Sequence, residues 1–173
     1  MTSLPPLVVV MGISGVGKSA VGHAVADRVG VTYVDGDDFH SQANIDKMSA
    51  GTPLTDDDRW PWLRDIGRWL AAHDSTGGVV SCSALRRVYR DILAEAAPRV
   101  LFLHLHGDHD LIEQRMNKRE HFMPSSLLAS QEATLEPLEA DENGWDSDIT
   151  PTPDEIADAF LRETGHESAE EPA

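Results

Sequence analysis

The apolar and polar positions along the chain predict strands and helices in regular alternation. The run LVVVMGI, residues 7–13, is continuously apolar and rich in β-branched side chains, which is typical of a strand buried on both faces. Residues 18–29 carry apolar side chains at helical spacing, and Gly30 is a suitable stop. Further strands are predicted at 31–36, 78–83, 100–107 and 144–149. Further helices are predicted within 41–75 and at 84–97, 108–118 and 154–163, whereas 119–135 is ambiguous.

This alternation predicts an α/β fold with a mostly parallel five-stranded sheet and helices on both faces. No linker or internal repeat interrupts it, so we expect one domain over residues 1–173. In such sheets, ligands bind at the carboxyl ends of the strands. The first three predicted strands end in GISGVGKS, DGDDFH and SCSALRR, and we expect these segments to meet at one crevice.

The charge of the chain argues against two classes of partner. The formal net charge is −16, from 14 basic and 30 acidic residues. A chain this acidic is a poor candidate for binding nucleic acid or an anionic membrane surface. Much of the excess lies in residues 132–148, which contain no Lys or Arg, and in the C-terminal tail. We predict a solvated face for 132–148 and a flexible acidic tail for about 164–173.

Cysteine content and hydropathy indicate a reducing compartment. Cys82 is the single cysteine of the sequence, so no internal disulfide can form. No apolar run approaches the length of a membrane span, and the N-terminal MTSLPPLVVV lacks the basic region of a signal peptide. These features predict a cytoplasmic protein.

The segment GISGVGKS, Gly12–Ser19, matches the phosphate-binding pattern G-x-x-x-x-G-K-[ST] in full, between a buried strand and a helix. Glycines let backbone N–H groups surround phosphate oxygens, and the helix N-terminus adds favourable partial charge. Lys18 is expected to reach the β and γ phosphates and Ser19 to ligate Mg²⁺. The fold is therefore predicted to be that of a P-loop NTPase that binds a nucleoside triphosphate. The predicted nucleotide-binding residues are Gly12, Ser14, Gly15, Val16, Gly17, Lys18, Ser19 and Ala20.

The size of the chain favours a small-molecule kinase over other P-loop proteins. A regulatory GTPase needs an N-K-x-D segment after a later strand, and motor or transporter ATPases are usually longer. Transfer to an alcohol requires a group that accepts the hydroxyl proton, and Mg²⁺. In an extended segment Asp35 and Asp37 would point to the same side, which predicts Asp37 as the base and Asp35 on the metal side, with Asp38 pointing elsewhere. The alternative for this pair is an ordinary Asx turn.

Several longer segments resemble the gluconate kinases (gluconokinases), in the shikimate-kinase-like group of P-loop kinases. They are the P-loop, DGDDFH, NIDKMSAGTPLTDDDRWPWL, SCSALRRVYRDIL and HFMPSSLLASQEATLEPL, which follow one another over most of residues 8–138. The resemblance implies transfer of the ATP γ-phosphoryl group to the 6-hydroxyl of D-gluconate. It also implies substrate-binding helices at about 38–76 and a lid at about 118–135. Because members of this family are often dimeric, it further implies a homodimer.

Roles implied by the resemblance extend to residues outside the P-loop. Lys18 and Asp37 are the expected catalytic residues, and Asp35 joins Ser19 at the metal. Arg115 and Arg119 are expected at the nucleotide. The expected substrate-binding residues are Asp37, His40, Arg59, Ser81, Arg86, His121 and Gln131. A carboxylate substrate favours bidentate arginine, which makes Arg59 and Arg86 the carboxylate and polyol candidates.

Some alternatives remain open from the sequence. Arg87 competes with Arg86 for its role, and Arg115 is an alternative partner for the adenine ring rather than the phosphates. The acceptor of the kinase could be another small molecule, such as shikimate or a nucleoside monophosphate. A non-enzymatic ATP-binding module of the same fold is the second rival.

Overall fold

A parallel five-stranded sheet forms the centre of the computed structural model, which describes residues 4–118 and 126–166. The strand order is β2-β3-β1-β4-β5, and every neighbouring pair is parallel. The strands are β1 (Leu7–Met11), β2 (Tyr33–Asp35), β3 (Gly78–Ser81), β4 (Leu101–His106) and β5 (Gly144–Asp148). The predicted α/β architecture is confirmed, since each predicted strand is present with shorter bounds.

Helices connect the strands. They are α1 (Lys18–Val29), α2 (Gln42–Ser49), α3 (Asp56–Ala72), α4 (Arg87–Ala96), α5 (His109–Lys118), α6 (Ser126–Thr134) and α7 (Pro153–Glu163). Helices α2, α3 and α7 each start after a Ser or Thr whose hydroxyl accepts a backbone hydrogen bond from the first turn. Helix α6 lies within residues 119–135, for which the sequence pattern was ambiguous. Among the described residues, no helix is both long and apolar enough to cross a membrane.

Two hydrophobic layers bury the sheet. Along β1, Val8 and Val10 pack with side chains of α1 and α7, whereas Leu7 and Val9 pack with side chains of α3 and α4. Both faces of β1 are therefore covered, which explains its continuously apolar sequence. Leu63, Ile66 and Leu70, which share one stripe of α3, are fully buried. This packing fixes the carboxyl ends of β1, β2 and β3 side by side.

Two residues of α4 show the opposite of the burial that hydropathy favours. Val88 is 39% exposed, while Arg90 is only 1% exposed. Arg90 donates from Nε to Oε1 of Glu142 at 2.6 Å and from Nη1 to the backbone oxygen of Ala84 at 2.9 Å. Because Glu142 is itself buried in this ion pair, the prediction of a solvated face for residues 132–148 is wrong at that position. The neighbouring Asp141 is exposed and pairs with Arg87.

Because only one of two adjacent acidic residues belongs to the buried ion pair, we expect their alanine variants to differ in the free energy of unfolding. Glu142→Ala should lower the free energy of unfolding by about 3 kcal/mol, because it leaves the Arg90 charge buried without its partner carboxylate. The matched control Asp141→Ala breaks an exposed pair and should cost at most about 1 kcal/mol. Urea unfolding of both variants measures the difference. Equal costs would contradict the assignment of a structural role to the buried pair.

Candidate active site

The loop between β1 and α1 has the geometry expected of an anion-binding site. Gly17 precedes α1 with φ 93°, a left-handed conformation that favours glycine. Helix α1 starts without a side-chain cap, in contrast to α2, α3 and α7. Its first N–H groups are therefore not capped by a side chain and remain suited to an anionic group.

Lys18 is the first residue of α1, and its side chain reaches back to the loop. Its Nζ donates to the backbone oxygens of Gly12 at 2.8 Å and Ile13 at 3.0 Å. Burial lowers the pKa of the Lys18 ammonium, while the negative charges of Asp37 and Asp35 act in the opposite direction. The ammonium is thus placed between the loop and the two carboxylates.

The two carboxylates come together through a turn and not through an extended strand. β2 ends at Asp35, and Gly36–Phe39 forms a 3-10 turn. Asp35 Oδ1 accepts a hydrogen bond from the backbone N–H of Asp37 at 2.9 Å, which is the Asx-turn geometry that the sequence left as the alternative. The predicted extended segment is therefore wrong, because the Asp35 side chain caps the turn. Both carboxylates nevertheless line one pocket, and Asp38 does not.

Asp37 is the more exposed member of the pair. Its side chain is 74% exposed at the mouth of the pocket. Desolvation by the surrounding pocket, and secondly the charge of Asp35, raise the pKa of the Asp37 carboxyl, and Lys18 opposes the shift. A raised pKa makes this carboxylate a stronger proton acceptor.

The main pocket has a volume of about 420 Å³ and lies over the carboxyl ends of β2 and β3. Parallel pairing places Ser81, the last residue of β3, opposite Asp35. The sequence-predicted residues that line this pocket are Ser14, Lys18, Asp35, Asp37, His40, Arg59, Ser81 and Gln131. The crevice predicted from the three strand ends is therefore present, with α2 and α3 forming its outer wall.

His40 and Arg59 form one wall of the main pocket, from the segment before α2 and from α3. The His40 ring stacks on Trp62 with centroids 4.2 Å apart. Burial, and secondly the charge of Arg59, lower the pKa of His40 to about 4. Arg59 donates from Nη1 to the Tyr89 hydroxyl at 3.0 Å. This wall thus offers one guanidinium and one uncharged imidazole.

The other candidate arginines lie elsewhere. Arg86 lines a neighbouring depression that it shares with Arg59, and its Nη1 donates to Asp56 at 2.8 Å. Arg87 points to the acidic segment, where it pairs with Glu139 and Asp141. The structure thus brings Arg59 into the main pocket, but places Arg86 beside it and Arg87 away from it.

A second pocket lies on the other side of the phosphate loop. Between the loop and the start of α7, it is bounded by Arg115 of α5 and by the segment that follows β5. Arg115 donates from Nη2 to the backbone oxygen of Ile149 at 3.0 Å. The predicted residues that line this pocket are Gly15, Val16, Gly17, Ala20 and Arg115. Residues of the phosphate loop therefore line both this pocket, of about 410 Å³, and the main pocket that holds the carboxylates.

The predicted lid is described only in part. On α6, Gln131 accepts a hydrogen bond at Oε1 from the backbone N–H of Ser14 at 2.7 Å, so this helix contacts the phosphate loop directly. Arg119 and His121 lie outside the residues that the structure describes.

Sequence reasoning missed Tyr33, which connects several candidate residues. Its hydroxyl lies 2.7 Å from Ser81 Oγ and donates to Ser19 Oγ at 3.4 Å. The ring packs so closely on α1 that a Cβ at Gly22 would lie 2.5 Å from it. The glycine in the first half of an otherwise regular helix was the available signal for this close approach.

Comparison with known proteins gives a consistent result. The family model for shikimate kinase matches residues 14–163. The thermosensitive gluconokinase of Escherichia coli is 48% identical over 138 residues, covering 78% of this chain and 73% of that protein. Two solved structures superpose closely, a sugar kinase from Janibacter sp. HTCC2649 (TM-score 0.88, 48% identity, 93% of this chain and 95% of the other) and a gluconokinase from Sinorhizobium meliloti 1021 (TM-score 0.85, 46% identity, 94% and 95%). With this degree of identity over most of its length, the chain belongs to the gluconokinase family of P-loop kinases.

Proposed function

We propose that this protein is a gluconokinase, which transfers the γ-phosphoryl group of ATP to the 6-hydroxyl of D-gluconate and gives 6-phosphogluconate and ADP. The observation that carries the proposal is the arrangement of the main pocket. Lys18, Asp35 and Asp37 line this pocket together with Arg59 and His40. A cation beside a proton-accepting carboxylate suits phosphoryl transfer, and the Arg59 guanidinium suits a substrate carboxylate.

The phosphate loop and the pocket beside it are suited to ATP. The uncapped start of α1 and the Lys18 ammonium would hold the phosphates. The adenine base of ATP would lie in the second pocket, against Arg115 and the segment after β5. We therefore assign Arg115 to the adenine side, and we retain Arg119 as a phosphate-binding candidate on the resemblance alone.

The donor atoms present also suit Mg²⁺, which prefers oxygen ligands and keeps several waters. Ser19 at the start of α1 and Asp35 at the end of β2 would supply a hydroxyl and a carboxylate oxygen. A bound Mg²⁺ neutralises charge on the transferring phosphoryl group. The Tyr33 hydroxyl lies between the metal side and the acceptor side, because it is 3.4 Å from Ser19 Oγ and 2.7 Å from Ser81 Oγ.

On the acceptor side, the residues of this chain bind the substrate and take up its proton. Asp37 accepts the proton of the attacking hydroxyl at its exposed carboxylate. Arg59 pairs with the substrate carboxylate, while His40 and Ser81 bind hydroxyl groups. Arg86 has a weaker claim, because it lines only the neighbouring depression and not the main pocket. For Gln131 and His121 we propose contacts from the lid, supported for Gln131 by its place in the pocket wall.

The deciding experiment is a coupled ADP-release assay with a panel of acceptors. With ATP and Mg²⁺, we expect turnover of D-gluconate, and glucose, shikimate and AMP near background. Glucose lacks the carboxylate and would leave Arg59 without its partner, a loss of roughly 30- to 1000-fold in kcat/KM. Faster turnover of shikimate or AMP would show a different kinase, and ATP binding without turnover would show a binding module.

Arg59 provides a more specific test of the acceptor wall. Arg59→Ala should raise KM for gluconate by about 10- to 100-fold, the range of a lost hydrogen bond to a charged group, with little change in KM for ATP. It should also narrow the preference for gluconate over glucose. The control is Arg64→Ala, which removes an exposed arginine from the same helix. Steady-state kinetics that show the same KM change in both variants would remove Arg59 from the substrate site.

We also propose that the enzyme is cytoplasmic and forms a homodimer. Cys82 is buried and burial raises its pKa to about 12, so the thiol is not suited to disulfide exchange at neutral pH. The dimer rests on the family resemblance, and light scattering of the full chain tests it through the mass in solution.

A further inference from the structure

The side chain of Asn44, buried at the start of α2, contacts two different elements. Its Nδ2 donates to the backbone oxygen of Asp58 in α3 at 3.0 Å and lies 3.2 Å from Nδ1 of His40. A backbone oxygen only accepts hydrogen bonds, so the atom of the amide that faces Asp58 must be the nitrogen. The backbone of α3 therefore fixes which way the Asn44 amide is turned.

The orientation of this amide determines the tautomer of His40. An amide nitrogen donates hydrogen bonds and does not accept them, so Nδ1 of His40 must be the acceptor. In a neutral imidazole the proton is then on Nε2. The low pKa of His40, about 4, keeps the ring neutral at pH 7. His40 can therefore present an N–H group at Nε2.

Stacking on Trp62 also fixes the plane of the His40 ring. His40 stacks on Trp62 with an angle of 14° between the rings, and Trp62 donates from Nε1 to the backbone oxygen of Gly36 at 2.7 Å. The His40 side chain is 3% exposed, and its Nε2 lies 3.8 Å from Oδ1 of Asp37. The N–H group thus points to the part of the pocket where Asp37 lies.

We propose that Asn44 is a positioning residue that locks His40 as an Nε2–H donor, aimed at an oxygen of the acceptor substrate beside Asp37. The identity of that acceptor as a sugar acid rests on the proposed function. The arrangement separates two tasks within one pocket. Asp37 takes up a proton, whereas His40 keeps its own and serves to orient the acceptor. A histidine in the other tautomer would present a lone pair at Nε2 and would compete with Asp37 for the hydroxyl proton.

The tautomer can be measured on the full chain without any substrate. Long-range ¹H–¹⁵N correlation spectra of protein labelled at histidine distinguish protonated from unprotonated ring nitrogens, and a His40→Gln variant identifies the His40 signals. At pH 7 we expect His40 to be protonated at Nε2 alone. A proton on Nδ1 overturns the proposal. Because no substrate is present, this result is independent of whether gluconate is the acceptor.

Substitution of Asn44 tests the positioning role. Asn44→Asp replaces the donor by an acceptor and should move the His40 proton to Nδ1. KM for gluconate should rise about three- to tenfold, the range of one neutral hydrogen bond, with KM for ATP within about twofold of wild type. The control Gln42→Glu makes the same chemical change at an exposed position of α2 and should alter neither quantity.

A second variant keeps the test decisive if the aspartate is not tolerated. Asn44→Ala removes the donor without adding a charge and should give a mixture of the two His40 tautomers. A purely structural role would lower stability and leave the tautomer as in wild type. The wild-type tautomer in every folded Asn44 variant, with an unchanged KM for gluconate, overturns the proposal.

Discussion

Replacing Lys18 by alanine is expected to lower kcat/KM for ATP by about 100- to 1000-fold, a loss of roughly 3–4 kcal/mol of transition-state stabilisation. The ammonium is held by the backbone oxygens of Gly12 and Ile13 within the phosphate loop. It is therefore fixed in place before charge develops on the phosphoryl oxygens, which is the condition under which such a group contributes most.

The control for Lys18→Ala is a separate variant that also loses one positive charge but leaves the phosphate loop intact. Arg68→Ala removes an exposed arginine paired with Asp65 on α3, and it should change kcat/KM by less than about twofold. Thermal unfolding of both variants checks that the fold is retained. A Lys18→Ala enzyme within about threefold of wild type would remove this residue from the mechanism.

The fold could be predicted from the sequence because its main signals are local. A strand buried on both faces needs apolar side chains at every position, and LVVVM in β1 shows this directly. The loop from Gly12 to Ser19 is likewise a contiguous pattern. In both cases the residues that determine the structure are neighbours in the sequence.

The errors arise where the decisive partner is distant in the sequence. Hydropathy favours Val88 over Arg90 for the buried face of α4, yet Glu142, 52 residues away, neutralises the buried arginine. Similarly, Asp56 holds Arg86 outside the main pocket, which the sequence of the α4 region alone does not reveal. Periodicity reports the average burial of a helix face and carries no information on such charge pairs.

In the candidate site, too, local patterns could be recognised from the sequence and contacts between distant residues could not. Asp35 and Asp37 could be recognised from the sequence as a pair, but the turn that the Asp35 side chain closes was there only the alternative to an extended segment. Tyr33 and Asn44 were not recognised, because each acts through hydrogen bonds to other elements of the fold. Residues that contact substrate are found through motifs, whereas the residues that orient them are found through geometry.

Asp37→Asn is expected to lower kcat by roughly 10²–10⁴, the contribution of a positioned general base, while KM for ATP barely changes. Asparagine keeps the shape of the side chain and the turn that Asp35 closes, but it cannot accept the hydroxyl proton. The raised pKa of Asp37 adds a second signature. In the wild-type enzyme kcat should fall as the pH drops through a pKa above that of an ordinary aspartate, because protonation of Asp37 removes the base.

The next residue in the turn provides the matched control for this substitution. Asp38 is exposed and does not line the main pocket, so Asp38→Asn makes the same change in charge one position away and should leave kcat within about twofold of wild type. Pre-steady-state measurement of product formation separates the chemical step from product release, which is needed because release limits kcat in many kinases. The acidic limb of the pH profile should persist in Asp38→Asn and disappear in Asp37→Asn. The opposite pattern, a large loss in Asp38→Asn with Asp37→Asn close to wild type, would move the base by one residue and would require the turn to present the other carboxylate to the acceptor.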